Sequence, residues 1–203
     1  MAGNSICAPA RRRRQCPRAS WNQRYRERSP SSLEPDPLLV TSYEEFIQPL
    51  FPHGGIALDV AGGVGRHGRW LAERNWKVDL VDISEVGVAQ AKQNAGRSAA
   101  HIRFGVEDLK KFSFPQNHYD LVLVFFYLER TIFPDFVRTL RPGGLLLYKT
   151  YTRQQGKFGG GPSHPLHLLK PNELLEAFSA LEILFYRETI RQRGIAELVA
   201  KKS

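Results

Sequence analysis

Cysteine is almost absent from this sequence: two occur among 203 residues, and both, Cys7 and Cys16, lie close to the N-terminus. A disulfide framework, a cysteine-rich zinc site and a cysteine nucleophile are therefore excluded from the remaining chain. We expect no bound metal. Because secreted chains of this size more often carry paired cysteines, the scarcity favours a reducing compartment and predicts a cytoplasmic protein.

Long hydrophobic runs are also missing. No apolar stretch reaches the roughly 18 residues that span a bilayer, and the contents of hydrophobic (42%) and charged (24%) residues are close to those of soluble globular proteins. A length of 203 residues fits a single compact domain better than a two-domain enzyme. We therefore predict a soluble one-domain protein without a membrane partner.

Acidic residues are scarce only at the start of the chain. Residues 1–28 hold eight arginines and one glutamate, so most of the formal charge of +9 lies there and the rest is nearly neutral. We predict a basic disordered tail over residues 1–20 and a folded domain over residues 21–203. The tail is compatible with a solvated extension or an organelle transit peptide. The near-neutral domain disfavours a nucleic-acid partner.

Beyond the tail, apolar runs of strand length alternate with segments of helical periodicity. This alternation predicts an α/β fold, namely a doubly wound, mainly parallel seven-stranded sheet with a C-terminal antiparallel strand. The last two strands are too close in sequence for a crossover helix and must pair antiparallel. The predicted strands cover residues 56–60, 77–81, 102–106, 119–126, 145–150, 181–186 and 195–200.

A glycine-rich loop joins the first predicted strand to the first helix of this alternation. Gly63, Gly65 and Gly68 satisfy G-x-G-x-x-G, and Asp82 ends the next strand, as in dinucleotide-binding folds. Three features favour another ligand. Asp59 lies at the strand end where such folds carry an apolar residue, an acidic pair follows the third strand, and the antiparallel end leaves no room for a separate substrate domain.

Five segments in order resemble the class I S-adenosylmethionine-dependent methyltransferases, a family of Rossmann-like fold. The resemblance extends from about Trp21 to the C-terminus. One departure is Ala61, which stands where the family has its first loop glycine and is tolerated if its φ is negative. The matching segments are LDVAGGVGR (58–66), VDLVDIS (78–84), GVEDLKKF (105–112), HYDLVLVFFYL (118–128) and LRPGGLLLYKT (140–150).

The resemblance implies S-adenosylmethionine as the cofactor and assigns roles by position. The loop residues would wrap the methionine part of the cofactor, the acid ending the second strand would accept hydrogen bonds from both ribose hydroxyls, and the residues after the second and third strands would contact adenine. Phe125 would lie near the transferable methyl group. The predicted cofactor residues are Asp59, Ala61, Gly63, Gly65, Asp82, Ile83, Glu107, Asp108, Leu109 and Phe125.

The methyl acceptor is expected to be a small molecule. The segments Trp-Asn-Gln-Arg-Tyr (21–25) and His-Leu-Leu-Lys-Pro-Asn-Glu-Leu-Leu (167–175) resemble the branch of tellurite-resistance and thiopurine methyltransferases, which implies a thiol or chalcogen oxyanion. The predicted acceptor-side residues are Tyr127, Arg130, Tyr151 and His164, with Trp21, Tyr25, Arg153 and His167 as further candidates.

Two other functions remain open at this point. One is an RNA or DNA methyltransferase whose arginine tail contacts phosphates. The other is a non-catalytic protein that keeps the cofactor fold as a binding module. The nearly complete set of family segments favours catalysis, while the sequence predicts no oligomeric state.

Overall fold

A seven-stranded sheet forms the centre of the computed structural model, which describes residues 17–27 and 32–203. The strand order is β3-β2-β1-β4-β5-β7-β6. Neighbouring strands from β1 to β5 pair in parallel, and β7 pairs antiparallel with both β5 and β6. The strands are β1 (Ile56–Val60), β2 (Lys77–Asp82), β3 (Ile102–Val106), β4 (Tyr119–Phe125), β5 (Leu140–Tyr151), β6 (Glu182–Thr189) and β7 (Ile195–Lys201). The predicted doubly wound, mainly parallel sheet is confirmed.

Helices cover both faces of this sheet. The side chains buried on one face include those of α2, α4 and α5, and those on the other face include α6 and α7. β4 lies in the middle and is buried along most of its length, as its continuous apolar sequence predicted. The described helices are α1 (Pro17–Glu27), α2 (Pro37–Ser42), α3 (Gln48–Leu50), α4 (Arg66–Ala72), α5 (Glu85–Ala95), α6 (Phe133–Thr139) and α7 (Glu173–Ala177), with a π-helical turn (Tyr43–Ile47) linking α2 to α3.

Two helix starts follow directly from local sequence. Asp36 caps α2 by accepting a hydrogen bond from the Leu38 amide at 3.0 Å, and Pro37 occupies the first helical position. Ser84 caps α5 by accepting from the Gly87 amide at 3.1 Å. The sequence predicts both caps, because a short polar side chain before an amphipathic segment satisfies a free helix amide.

Two local predictions differ from the structure. The sequence Arg-Pro-Gly-Gly at 141–144 predicts a turn before the fifth strand. This prediction is wrong, because these residues belong to β5, where they form a bulge: Tyr119 pairs with Leu140 and Leu121 with Leu145. Pro171 predicts the start of the last helix, because proline favours the first helical position. The helix instead begins at Glu173, since Asn172 has a φ of 59° and precedes it in a left-handed conformation.

The N-terminal helix α1 begins at Pro17, so residues 17–20, placed in the predicted tail, form its first turn. Residues 1–16 lie outside the described part of the chain, and the prediction of disorder for them stays a prediction. None of the helices in the described ranges is long and apolar enough to cross a membrane.

Candidate functional site

The glycine loop connects β1 to α4 through a run of left-handed backbone. Ala61, Gly63 and Gly65 have φ values of 52°, 55° and 79°. The condition placed on Ala61 is therefore not met: its φ is positive, a conformation that costs an L-residue roughly 1–2 kcal/mol. The loop is closed by hydrogen bonds from the Gly62 amide to the Val81 carbonyl at 3.2 Å and from the Gly65 amide to the Gly62 carbonyl at 3.0 Å.

Asp82 holds this loop at the carboxyl end of β2. One carboxylate oxygen accepts a hydrogen bond from the Gly63 amide at 2.9 Å, and the other accepts from the Ser84 amide at 2.8 Å. The side chain is buried, and burial raises its pKa, while the hydrogen bonds from backbone amides oppose the shift. Asp82 therefore joins the loop to the start of α5, and each of its oxygens retains a second lone pair.

Asp59 lies beneath the loop and not at its surface. Asp59 is 1% exposed, and its Oδ2 accepts a hydrogen bond from the Gly68 amide of α4 at 3.0 Å. Burial raises its pKa to about 7, whereas the Gly68 amide and the nearby Arg66 oppose the shift. The structure thus places Asp59 as a link between β1 and α4.

The predicted adenine-contacting residues gather beside Asp82, at the carboxyl ends of β2 and β3. The Glu107 amide donates to the Asp82 carbonyl at 3.0 Å, which brings the two strand ends together. Asp108 is half-buried and accepts from the Lys110 amide at 3.1 Å, while Leu109 is buried in the core. Ile83 is half-buried and Glu107 is exposed. The structure therefore brings the two predicted acidic positions to one edge of the sheet.

Helix α1 covers the glycine loop and α5. Asn22 is buried, accepts from the Ser84 hydroxyl at 2.6 Å and donates to the Glu85 carboxylate at 3.0 Å. Tyr25 lies directly over Gly63, where a Cβ atom would overlap with the Tyr25 hydroxyl. Trp21, the neighbouring candidate, stacks near Tyr25 with ring centroids 6.0 Å apart. The close contact with α1 and the φ of 55° both disfavour a side chain at position 63.

The three residues at the end of β4 lie in different surroundings. Phe125 is buried against the His67 ring, with centroids 4.1 Å apart. Phe126 has a φ of 58°, and its amide donates to the Lys149 carbonyl at 2.7 Å. Tyr127 lies near enough to Asp82 and Asp108 for both to contribute to its raised pKa, whose main cause is burial. Tyr127 therefore lies in the neighbourhood of the two predicted acidic positions.

The other predicted acceptor-side residues are dispersed. Arg130 forms an ion pair with Glu173 and donates to the Leu166 and Leu168 carbonyls at 2.9 and 3.0 Å, so its guanidinium ties two loops together. His164 is exposed and caps a short 3-10 turn. Tyr151 packs against Phe126 with ring centroids 5.0 Å apart.

Arg153 and His167, the remaining candidates, are exposed. The loop that follows β5 contains both of them. Gln155, which is buried, anchors the start of this loop. Its side chain accepts from the Gly194 amide at 3.1 Å and donates to the Gly160 carbonyl at 2.7 Å. This loop is thereby tied to the connection between β6 and β7.

Sequence reasoning missed three residues at this edge. Lys149 is nearly buried and forms ion pairs with Asp36 at 2.7 Å and Glu197 at 3.0 Å. His67 is buried, and its Nε2 finds no hydrogen-bond partner among the described residues. Phe126 was quoted only as part of an apolar run. The available signal was a lone lysine inside the apolar strand β5 and a histidine directly after the glycine loop.

Burial, with contributions from Arg66 and Lys149, lowers the pKa of His67 well below its usual range. The imidazole is therefore neutral at pH 7. A buried ring nitrogen without a hydrogen-bond partner is uncommon and costs free energy, so the His67 ring is an unusual neighbour of the glycine loop.

Comparison with known proteins agrees with this geometry. A family model described as "Methyltransferase domain" matches residues 57–144. The chain is 25% identical over 166 residues to phosphoethanolamine N-methyltransferase 3 of Arabidopsis thaliana, covering 78% of this chain and 32% of that protein. It is 32% identical over 111 residues to the ubiquinone/menaquinone biosynthesis C-methyltransferase UbiE of Stutzerimonas stutzeri, covering 50% of this chain and 43% of that protein. The chain thus spans less than half the length of these curated relatives.

Solved structures show the same fold. The structure titled "Conversion of a Disulfide Bond into a Thioacetal Group during Echinomycin Biosynthesis" has a TM-score of 0.71 at 16% identity and covers 92% of this chain and 91% of its own. TehB from Haemophilus influenzae has a TM-score of 0.66 at 19% identity and covers 81% of this chain and 61% of its own. The fold is that of the Rossmann-like methyltransferases. The resemblance to the class I S-adenosylmethionine-dependent methyltransferases is confirmed in sequence and in fold.

Proposed function

We propose that this chain binds S-adenosylmethionine at the carboxyl edge of β1 to β4 and transfers its methyl group to a small-molecule acceptor. The observation that carries the proposal is the glycine loop, whose left-handed backbone is held over the edge by Asp82 while a second acid, Asp108, follows β3. Ligands of open α/β sheets bind at this edge. The matched methyltransferase domain, residues 57–144, contains all of these elements.

The residues present fit this cofactor. Each Asp82 oxygen accepts one backbone amide and has one lone pair left, which suits the two hydroxyls of a ribose. One Asp108 oxygen accepts from the Lys110 amide, so the carboxylate retains acceptor capacity for the adenine amino group. Ile83 directly follows Asp82 and is half-buried. Its side chain offers an apolar contact for the adenine face.

The bound cofactor would supply an activated methyl group on a sulfonium, whose carbon–sulfur bond breaks as the bond to the acceptor forms. The protein then has to align the acceptor and exclude water. α1 is suited to the second task, because Asn22 fixes it to the start of α5 and Tyr25 covers Gly63. A soft anionic acceptor needs no general base, which agrees with the exposed position of His164.

The acceptor class is the finer part of the proposal. The names of the relatives describe methylation of phosphoethanolamine and, for UbiE, a C-methyltransferase of quinone biosynthesis, which supports a small molecule over a nucleic acid. A thiol or chalcogen oxyanion is the acceptor that the sequence resemblance to the tellurite-resistance branch favours. TehB shares the fold with this chain.

Calorimetric titration with S-adenosylmethionine and S-adenosylhomocysteine tests the proposal. We expect both to bind the wild type, and Asp82→Ala to weaken binding by about 1.5–3 kcal/mol, or roughly ten- to a hundredfold, the range for a hydrogen-bonded charged group. Asp135→Ala, which removes a carboxylate paired with Arg138 on α6, is the control. Wild-type protein that binds neither compound, or an Asp82 variant with unchanged affinity and an intact thermal transition, would overturn the assignment.

A further inference from the structure

A second recess lies on the α2 side of the same sheet edge, beyond β5. It is a cavity of about 850 Å³ whose wall includes Arg66, Phe126, Lys149, Arg187, Arg191 and Arg193. Arg66 directly follows the glycine loop and Phe126 directly follows β4. The cavity therefore lies beside the glycine loop and the end of β4, which border the proposed cofactor site, and is placed to receive the molecule that takes the methyl group.

A row of charged side chains crosses three strands at this cavity. Lys149 on β5 pairs in register with Glu197 on β7, and Glu197 pairs in register with Arg187 on β6. The Glu197 carboxylate forms ion pairs with both cations, and Asp36 forms the second ion pair of Lys149. The two buried acids are thus already occupied by Lys149 and Arg187.

The remaining charges of the cavity are mainly positive. Glu188 accepts from the Tyr186 hydroxyl and, at 2.8 Å, from the Asn172 amide. Arg191 and Arg193 form no ion pair with any described residue, and Arg66 has only a 4.0 Å contact with Asp36. Five cations and three acids line the wall, so the cavity carries an excess of positive charge that favours an anion.

Size and apolar surface narrow the ligand further. A volume of about 850 Å³ is in the range of pockets for organic molecules and far exceeds the space of a single inorganic oxyanion. Phe126, Ile190 and Ile195 also line the wall and offer contact for an apolar body. Arginine side chains bind carboxylates and phosphates through a planar fork of donors.

We infer that this cavity is the acceptor site and that the acceptor is an organic molecule with an oxyanion group, a carboxylate or a phosphate, attached to an apolar or aromatic body. Arg191 and Arg193 bind the oxyanion, and Phe126 contacts the body. The inference rests on the proposed methyl transfer and narrows its acceptor to an organic molecule, which retains a thiol as the methylated group and leaves out an inorganic chalcogen oxyanion.

Titration of the protein saturated with S-adenosylhomocysteine tests this inference, with benzoate, phenyl phosphate and the neutral benzamide as probes. We expect benzoate or phenyl phosphate to bind at least about tenfold more tightly than benzamide, since the neutral amide lacks a charge-assisted hydrogen bond to arginine. The difference between benzoate and phenyl phosphate assigns the oxyanion. Binding should weaken as salt increases, because the two arginines are exposed.

The double variant Arg191→Gln with Arg193→Gln should lose about tenfold in affinity for the anionic probe. Arg97→Gln, which removes an exposed arginine on a distant turn, is the matched control. Equal binding of benzamide and the anions, or an unchanged double variant, would refute the anionic site. If S-adenosylhomocysteine binds and the anions do not, the inference fails and the proposed function stands. Anion binding without S-adenosylhomocysteine binding refutes the proposed function.

Discussion

Ala61 adopts a backbone conformation that is imposed by the glycine loop. Its φ of 52° lies in the left-handed region, where glycine has no steric penalty and alanine has one. The neighbouring bond between the Gly62 amide and the Val81 carbonyl at 3.2 Å holds the loop in place. The surrounding structure therefore imposes a strained conformation at a position next to the proposed cofactor site.

Replacing Ala61 with glycine is expected to stabilise the protein. Removal of roughly 1–2 kcal/mol of left-handed strain is partly offset by about 0.4–1 kcal/mol of added unfolded-state entropy, which leaves a net gain between about 0 and 1.6 kcal/mol. Urea denaturation measures this difference. Gly96→Ala is the reciprocal control, because Gly96 has a φ of 52° with open space around it and should lose stability. If the Ala61→Gly variant is less stable than the wild type, Ala61 is not strained in the native protein.

Asp59 makes the free energy of unfolding depend on pH. Burial raises the pKa of Asp59 to about 7, so between pH 3.8, the ordinary pKa of an aspartate, and pH 7 the native state holds a proton that the unfolded state releases. Stability from this group is therefore fully present below about pH 4 and declines as pH rises to about 7. We expect Asp59→Asn to remove this decline in urea denaturation series from pH 4.5 to 8. Identical pH profiles for the variant and the wild type would exclude a raised pKa.

At the scale of elements, the docking of α1 on α5 connects the N-terminal part of the described chain to the site. The contact depends on Asn22, whose side chain meets both Ser84 and Glu85, and on Tyr25, whose backbone carbonyl accepts from Gln90 at 3.3 Å. Ser84 is itself the cap of α5. One buried amide thus links the covering helix to the helix that starts beside Asp82.

Asn22→Ala should loosen α1 without unfolding the sheet. Loss of two partly buried hydrogen bonds is expected to cost about 1–3 kcal/mol locally, so amide hydrogen exchange in α1 should accelerate while exchange in β1 and β4 stays slow. Gln23→Ala is the matched control, since Gln23 is exposed and bonds only to Glu27 within the helix. Equal exchange in α1 for both variants would show that Asn22 does not anchor the helix.

For the whole molecule, charge is distributed unevenly between the start of the chain and the folded part. Residues 1–16 contain four of the 29 basic residues and no acid. The contacts described for the site begin with α1, which starts at Pro17. The glycine loop, the acids Asp59 and Asp82 that bond to it and to α4, and the cationic cavity all lie within residues 17–203.

Deleting residues 1–16 is therefore expected to leave cofactor affinity within about twofold and the thermal transition unchanged, because the contacts described for the site and the core involve residues 17–203. Calorimetry with S-adenosylhomocysteine and a melting curve check both. A labelled-methyl assay on total RNA decides the alternative. Methylation of RNA by the full chain and not by the truncated protein would favour a nucleic-acid acceptor, whose phosphates the four arginines would contact.

Much of the fold follows from the sequence because its signals are local. Period-two and period-3.6 patterns place the strands and helices, Asp36 and Ser84 mark helix starts, and the acids at positions 82 and 108 follow strands that parallel order brings to one edge. The predicted turn at 141–144 failed because the neighbouring strand ladder, and not local turn propensity, determines the conformation of that segment.

The tertiary structure alone decides how individual side chains are used. Lys149 meets Asp36 across 113 positions of sequence, Asn22 meets Ser84 across 62, and Arg130 meets Glu173 across 43. No local spacing encodes these pairs, since they depend on how helices and strands pack over long chain separations. The same packing buries Asp59 and raises its pKa, and it turns Arg130 toward a loop while leaving Arg191 and Arg193 at the cavity.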